Sequence, residues 1–430
     1  ENNPVEDKYR TLAHDLLRGL VDPQLKPDRE QRARLASVIN SPSHHPTMEE
    51  KDLLWRFRFS LVDNRRALTK FLLAVDWTQE SEVIQAAELL EQWRKRSPIE
   101  VTDALKLLGK NVAFQTSLVR AYAIDTLAAA PDEELSLYLL QLVQALKYEN
   151  MNHGNDRMAE STATLVVAPQ QGGVSSLASF LIDRASKNMS LANYLYWYLK
   201  VELPHPTHGQ RYRAVFSALG DKLSSIPLHH LKKTKPTQQS SSSILSKLSS
   251  SQPYTPKTMW DILLAQDQFI SGVMECQMQS RDYRGKRDAK EKQLRELLGS
   301  RGYHFIQSRE AIPLPSAPEV YVTGVYPPTA RMFKSALYPA VIEFCVTPSH
   351  TADKSSSQTV DLLDTHTPSS FKQDNYKVIV KTGDDLRQDQ LVIMMVRLMN
   401  GLLKRGTLDL CLKPYSIIAT SPTAGLVGFV

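Results

Sequence analysis

For roughly the first 230 residues the chain sets leucine, alanine, glutamate and arginine at helical spacing with scarcely a glycine, and after that the pattern changes. A chain built this way has to fold as a long helical half followed by a part of different construction. Glycine occurs 17 times in 430 residues, about half the usual share, so turns are few and short in the helical half. From Asp132 onward, Leu135, Leu139, Leu142, Val143 and Leu146 fall on one stripe and mark a single buried face.

The spacing predicts helices over 48–62, 65–75, 80–95, 98–108, 113–130 and 132–148, joined by links too short for anything but antiparallel neighbours. Successive pairs that each bury one face make an α-solenoid of the HEAT or armadillo type, although no strict repeat period accompanies them. Thr47 followed by Glu50 reads as a capping box, and Ser97, Pro98 and Glu100 repeat the device with proline at the first helical position.

The whole chain divides into a helical domain over 1–235, a serine-rich linker over 236–256, one linking helix over 257–301 and a β-rich part over 302–430. Serine and proline dominate the linker, which has too little apolar surface to offset its ordering entropy. A polar, glycine-bearing stretch, 151–174, interrupts the helical half. Residues Arg281 to Arg301 carry eight lysines and arginines against four acids. A solvated helix face laced with i,i+4 pairs explains that stretch better than a lipid-facing patch. Beyond Gly302, segments 313–323, 338–347, 377–380, 415–420 and 425–430 read as strands, with a polar insertion at 350–373. A strong helix lies between 377–380 and 415–420, its apolar positions including Leu391, Val392, Met395, Met399 and Leu402.

A net charge of +6 over 48.5 kDa is too small for a general nucleic-acid signature. The three cysteines, Cys276, Cys345 and Cys411, are scattered and form no zinc or disulfide pattern, which fits a reducing compartment. No apolar run reaches the roughly 18 residues of a membrane helix and the start is polar, so any membrane work is expected to be peripheral. His14, His44 and His45 lie in polar surroundings and read as surface residues.

The chemistry concentrates in Lys381-Thr382-Gly383-Asp384-Asp385-Leu386-Arg387-Gln388-Asp389, which follows the strand residues Val378, Ile379 and Val380. An ammonium at a strand end needs a carboxylate partner or a phosphate, because desolvating it alone costs several kcal/mol (order of magnitude). In kinases a strand lysine grips the α and β phosphates and an acid on the next helix aims it. Lys381 and Asp389 fit those roles. Upstream, Met332 to Pro339 lies between two strand-like segments, where a phosphate-covering loop belongs, and Ser335 there carries a hydroxyl and a backbone donor; an ordinary hairpin turn would also suit this glycine-free stretch.

The string from Lys381 to Asp389 resembles the first signature of the phosphatidylinositol 3- and 4-kinases. Phe333-Lys334-Ser335-Ala336-Leu337-Tyr338-Pro339-Ala340 is similar to the phosphate loop of the class III, vacuolar-sorting phosphatidylinositol 3-kinases. Residues 3–6, 67–72, 138–150 and 191–198 look like the accessory helical domain of that class. The resemblance implies an α+β multidomain protein: an α-solenoid accessory domain followed by the β-sheet-plus-helix N-lobe of a phosphatidylinositol kinase. It implies an ATP site in which Lys381 meets phosphate, Asp389 aims it, Ser335 serves the phosphate loop and Tyr415 lines the inner adenine pocket. Val427 takes the gatekeeper-like place before hinge residues Phe429 and Val430, with Phe333, Pro339 and Ile379 as apolar walls.

Class I relatives carry a more basic loop than Ala336, Leu337 and Tyr338 provide. Departures fall at Met394, where glutamine is usual, and in the insertion. The family's catalytic loop and metal motif lie beyond the hinge, so the chain is expected to lack the C-lobe and to be inactive alone. The parent enzyme is expected to use ATP and magnesium, with manganese as an alternative, to phosphorylate the 3-hydroxyl of phosphatidylinositol. Its implied partners are that lipid, a propeller-bearing kinase-like regulatory subunit and a Beclin-type coiled-coil subunit. The implied location is cytoplasmic, on the surface of endosomal and autophagic membranes, and no nucleic acid is involved. Two other readings stand beside this one: a solenoid scaffold without catalysis, and a protein kinase of the target-of-rapamycin type.

Overall fold

The structure, a computed structural model, describes residues 5, 8, 18–19, 21–149, 176–227, 257–301, 311–347 and 375–430. The interruption 151–174, the linker 236–256, the insertion 350–373 and His14 lie outside the described residues. Packing divides the chain into two units, Glu1–Phe180 and Leu181–Val430.

The first unit is helical among its described residues: α1 (Arg29–Ile39), α2 (Met48–Arg56), α3 (Arg58–Leu61), α4 (Leu68–Ala74), α5 (Glu80–Arg96), α6 (Val101–Leu107), α7 (Ser117–Ala128) and α8 (Asp132–Ala145). The expected stripe on α8 is buried through Leu135, Leu139, Leu142 and Val143. Trp55, Phe71 and Trp93 form an aromatic spine, with Phe71 5.0 Å from Trp93 and 6.0 Å from Trp55. Arg58 is buried beside it, donating to the Trp55 carbonyl at 2.8 Å with its guanidinium 4.4 Å from the Trp55 ring centre. Burial there lowers the Arg58 pKa to about 10.

The capping box at Thr47 is present: Thr47 N–H donates to Glu50 Oε2 at 2.8 Å and Glu50 N–H to Thr47 Oγ1 at 3.3 Å. Its expected repeat is not. Ser97 ends α5, its hydroxyl donates to the Val62 carbonyl at 2.8 Å, and α6 starts only at Val101, which leaves Pro98 outside the helix.

Helix α9 (Ser176–Ala185) runs across the division between the units, and the second unit continues with α10 (Met189–Glu202), α11 (Gly209–Ser224), α12 (Met259–Asp282) and α13 (Arg287–Arg301). The packing division falls inside the helical half, and a buried polar network ties α10 to the sheet. Trp197 of α10 donates to Gln266 Oε1 of α12 at 2.8 Å. Gln266 Nε2 then donates to Asn193 Oδ1 and to the Pro313 carbonyl, both at 2.7 Å, and Asn193 Nδ2 reaches the Pro315 carbonyl at 3.0 Å. Each buried polar group there is hydrogen-bonded, so α10 is committed to the sheet.

The single linking helix expected over 257–301 is two helices. Gly285, at φ +143, turns the chain between them, and Lys290 folds back to donate to the carbonyls of Arg281 and Tyr283. The basic stretch is laced with ion pairs: Arg287 with Asp288 at 3.1 Å, Arg295 with Glu291 at 2.5 Å and Lys292 with Glu296 at 3.9 Å. Apart from the buried Lys290, a largely solvated face accounts for it.

The sheet holds β1 (Ile312–Leu314), β2 (Ala317–Val325), β3 (Arg331–Met332), β4 (Ala340–Val346), β5 (Asn375–Thr382), β6 (Ile417–Ser421) and β7 (Ala424–Gly428). Its order is β1-β2-β4-β5-β7-β6, every pair antiparallel, with β3 added against β4. One face, through Ile342, Phe344, Val378, Val380 and Leu426, is fully buried, and Phe344 meets Phe269 of α12 edge-on at 5.9 Å.

Between β5 and β6 runs α14 (Arg387–Arg405), whose buried residues are Gln390 and Met394. Its apolar stripe, including Leu391, Val392, Met395, Met399 and Leu402, is exposed instead, between 38% and 60%. Gln390 turns inward because its side-chain oxygen accepts the Ala419 N–H at 2.7 Å. Among the described residues no helix is long and apolar enough to cross a membrane.

Candidate nucleotide-binding site

Antiparallel register fixes which side chains share a face. Ile379 and Lys381 alternate with the buried Val378 and Val380, and they stand opposite Val427 and Gly425 of β7. On the other side Ile379 stands opposite Val341, which continues the same face to Pro339 and, across β3, to Phe333. Phe429 follows two residues after Val427, its N–H donating to the Lys377 carbonyl at 3.3 Å. Six of the expected ATP-site residues, Phe333, Pro339, Ile379, Lys381, Val427 and Phe429, thus belong to one sheet face.

Three connections meet at the Lys381 end of that face. The loop from Phe333 to Pro339 is closed by Phe333 N–H donating to the Pro339 carbonyl at 2.9 Å, and it holds Ser335 exposed at its tip. After β5 the chain turns at Gly383, φ +83, and the N–H groups of Gly383 and Asp384 donate to the Thr423 carbonyl of the β6–β7 hairpin at 2.7 and 3.1 Å. A Cβ on Gly383 would lie 2.8 Å from Arg281 Nη1 and 3.3 Å from Leu337 of the loop. Only glycine suits that backbone and that gap.

Lys381 Nζ lies 3.3 Å from Asp384 Oδ2, with the side chains 30% and 40% exposed. Asp389, expected to aim it, is exposed in the first turn of α14 and makes no hydrogen bond or ion pair among the described residues. The resting carboxylate partner is therefore Asp384, which is three residues from Lys381 and sits in the glycine turn itself. Asp385 is engaged elsewhere. Arg387 donates to it at 2.9 and 2.6 Å, and these bonds hold the Asp385 carboxyl below the usual carboxylate range.

Leu386, fully buried, anchors the turn by packing with Val201, Ile417, Ala419 and Val427. A Cβ on Gly425 would come within 2.7 Å of Leu386, so β7 needs its glycine there to admit the anchor. Val427, 9% exposed, is mostly covered by this cluster and offers the face only an edge. Tyr415 is 40% exposed just ahead of β6, its carbonyl accepting from Arg397 at 3.1 Å. Val430 is exposed beyond β7.

An ammonium held by one carboxylate, a hydroxyl loop beside it and an apolar floor running toward Phe429 suit an adenine nucleotide laid along the face. Among the described residues no cluster of three or more His, Cys, Asp or Glu stands ready for a metal ion.

Sequence reasoning named residues that share this face and named none of its supports. Gln277, Arg281, Thr423 and Gln390 hold the site's backbone in place, yet they come from distant elements and carry no motif of their own.

The chain is similar to known proteins along its length. Residues 23–232 match the model of the phosphoinositide 3-kinase family accessory (PIK) domain, and residues 375–430 match that of the phosphatidylinositol 3- and 4-kinases. Over its whole length the chain is 36% identical to phosphatidylinositol 3-kinase pik3 of Schizosaccharomyces pombe, covering 45% of that protein. It is likewise 34% identical to phosphatidylinositol 3-kinase VPS34 of Arabidopsis thaliana and 32% to that of Saccharomyces cerevisiae, covering 44% and 46% of them. The chain thus spans a little under half the length of these relatives.

Proposed function

The chain belongs to the phosphatidylinositol 3-kinase family, and from that premise we propose that the complete protein transfers the γ-phosphoryl group of ATP to the 3-hydroxyl of phosphatidylinositol. The carrying observation is the Lys381 ammonium, set between the 333–339 loop and the Gly383 turn at the end of an apolar sheet face. Phosphoryl transfer depends on positioning and charge stabilisation, and this part of the protein supplies the phosphate grip.

In this reading Lys381 contacts the α and β phosphates, Ser335 serves the loop, and Asp389 is recruited to aim Lys381 once nucleotide is present. Phe333, Pro339 and Ile379 wall the adenine, Tyr415 and Val427 line its inner side, and Phe429 and Val430 form the hinge. A divalent metal, magnesium with manganese as the alternative, takes its ligands from outside the described residues. The helical half acts as an α-solenoid accessory domain. The protein works at endosomal and autophagic membranes as a peripheral enzyme, together with a propeller-bearing kinase-like subunit and a Beclin-type coiled-coil subunit.

The test is transfer from labelled ATP by the complete protein, offered phosphatidylinositol vesicles or a peptide panel. Phosphatidylinositol 3-phosphate is the expected product. Labelled peptide with unlabelled lipid would turn the reading to a protein kinase of the target-of-rapamycin type. No transfer to either, from a protein that binds its partners, would leave the scaffold.

A further inference from the structure

The two segments flanking the candidate phosphate grip are tied to one side chain that belongs to neither. Gln277 of α12 is fully buried, yet its amide uses both ends. Its Nε2 donates to the carbonyl of Tyr338, near the close of the 333–339 loop, at 2.8 Å. Its Oε1 accepts from the hydroxyl of Thr382, the residue after Lys381. A buried amide with both ends satisfied fixes the spacing between its two partners, because shifting either leaves a polar group without water or bond.

Two further contacts reinforce the tie. Tyr338 sits at φ +44, a left-handed conformation that a non-glycine residue keeps only when its surroundings hold it. The Lys290 ammonium lies 4.9 Å from the centre of its ring. On the strand side, Arg281 Nη1 donates to the Thr382 carbonyl at 3.1 Å and to its hydroxyl at 3.2 Å, one turn along α12 from Gln277.

We propose that Gln277 is a positioning residue for nucleotide phosphate: by bridging the Tyr338 carbonyl and the Thr382 hydroxyl, it sets the distance between the 333–339 loop and Lys381. The inference rests on the kinase reading above and adds to it a residue outside the sheet, on the face away from the nucleotide. Gln277 acts through the backbone and touches no substrate.

The experiment measures binding of ATP and of adenosine to the complete protein by competition against a fluorescent ATP analogue, alongside thermal melting. Gln277→Met keeps the side chain's length and removes both hydrogen bonds. The expected result is an ATP Kd raised about tenfold with adenosine affinity within about twofold, because the phosphates enter the loop-to-lysine gap whereas adenosine meets only the loop's ends, Phe333 and Pro339, which stay joined by their own hydrogen bond. Thr382→Val combined with Gln277→Met removes both polar partners of that bond together, which restores melting toward the parent value, while ATP affinity stays low because the Tyr338 carbonyl is still untethered. Unchanged ATP affinity in the folded double variant, or equal losses for ATP and adenosine, would overturn the assignment. Failure of the unsubstituted protein to bind ATP would overturn the kinase reading together with it, and is read from that protein alone.

Discussion

Lys381 holds its ammonium 3.3 Å from Asp384 and makes no contact with Asp389, the acid on the helix that follows. Asp384 follows Gly383 directly in the turn, whereas Asp389 lies in the first turn of α14, so the resting pair and the pair expected with nucleotide bound use acids from two different elements. Lys381→Met in the complete protein is expected to lower phosphoryl transfer at least about tenfold, since a charge-assisted hydrogen bond contributes about 1.5 to 3 kcal/mol. Stability should change by less than about 1 kcal/mol, because the pair is partly exposed. Asp389→Asn is expected to share the kinetic loss and Asp384→Asn to escape it. Loss on Asp384→Asn as large as on Lys381→Met would give the aiming role to Asp384.

Gly383→Ala tests the turn. The substitution puts a Cβ on a backbone at φ +83 and drives it to 2.8 Å from Arg281. Left-handed strain on a non-glycine residue costs about 1 to 3 kcal/mol, and displacing Arg281 also loosens its bonds to Thr382. Equilibrium urea unfolding should show a lower midpoint with an unchanged slope. An alanine variant as stable as the parent would mean that the turn relaxes freely.

The inward glutamine of α14 gives a sharper test, because intuition about amphipathic helices points the other way. Gln390→Leu would improve the helix's hydrophobicity, yet it is expected to destabilise by about 1 to 3 kcal/mol by stranding the buried Ala419 N–H. Leu386→Ala, in the cluster just before the helix, should cost about 2 to 5 kcal/mol. Thermal melting of both variants decides the matter, and a stabilised Gln390→Leu would show that the helix packs by its apolar stripe.

What the sequence disclosed follows from how local each signal is. The Thr47 box was legible because two side chains three residues apart satisfy each other's backbone, and no distant partner competes. The same letters at Ser97 misled because the hydroxyl found the carbonyl of Val62. Periodicity ran through the turn at Gly285, so one helix was read where two exist, and only the positive φ reveals the break. The apolar floor of the site was legible from strand alternation and motif, since register follows from both. Gln277 and Gln390 were not, because a buried polar residue is recognisable only by its partners, and theirs lie 61 and 29 residues away.

Asp385 supplies a test of the same turn by pH. Hydrogen bonds from Arg387 lower its carboxyl pKa in the folded protein, so folding favours the ionised form. The contribution is complete above the unfolded carboxylate pKa of about 3.9 and disappears as pH falls through the lowered folded value. Asp385→Asn should therefore narrow the stability gap to the parent as the pH drops through that window, with the largest gap at neutral pH. Urea midpoints taken along an acid series measure it. Because Asp385 is 45% exposed, solvent screening keeps the effect small, and its direction is the test. A gap that widens toward low pH would mean that the ordering of Asp385 and Arg387 ahead of α14 does not hold in solution, and with it would go the local reason why Lys381 is left to Asp384.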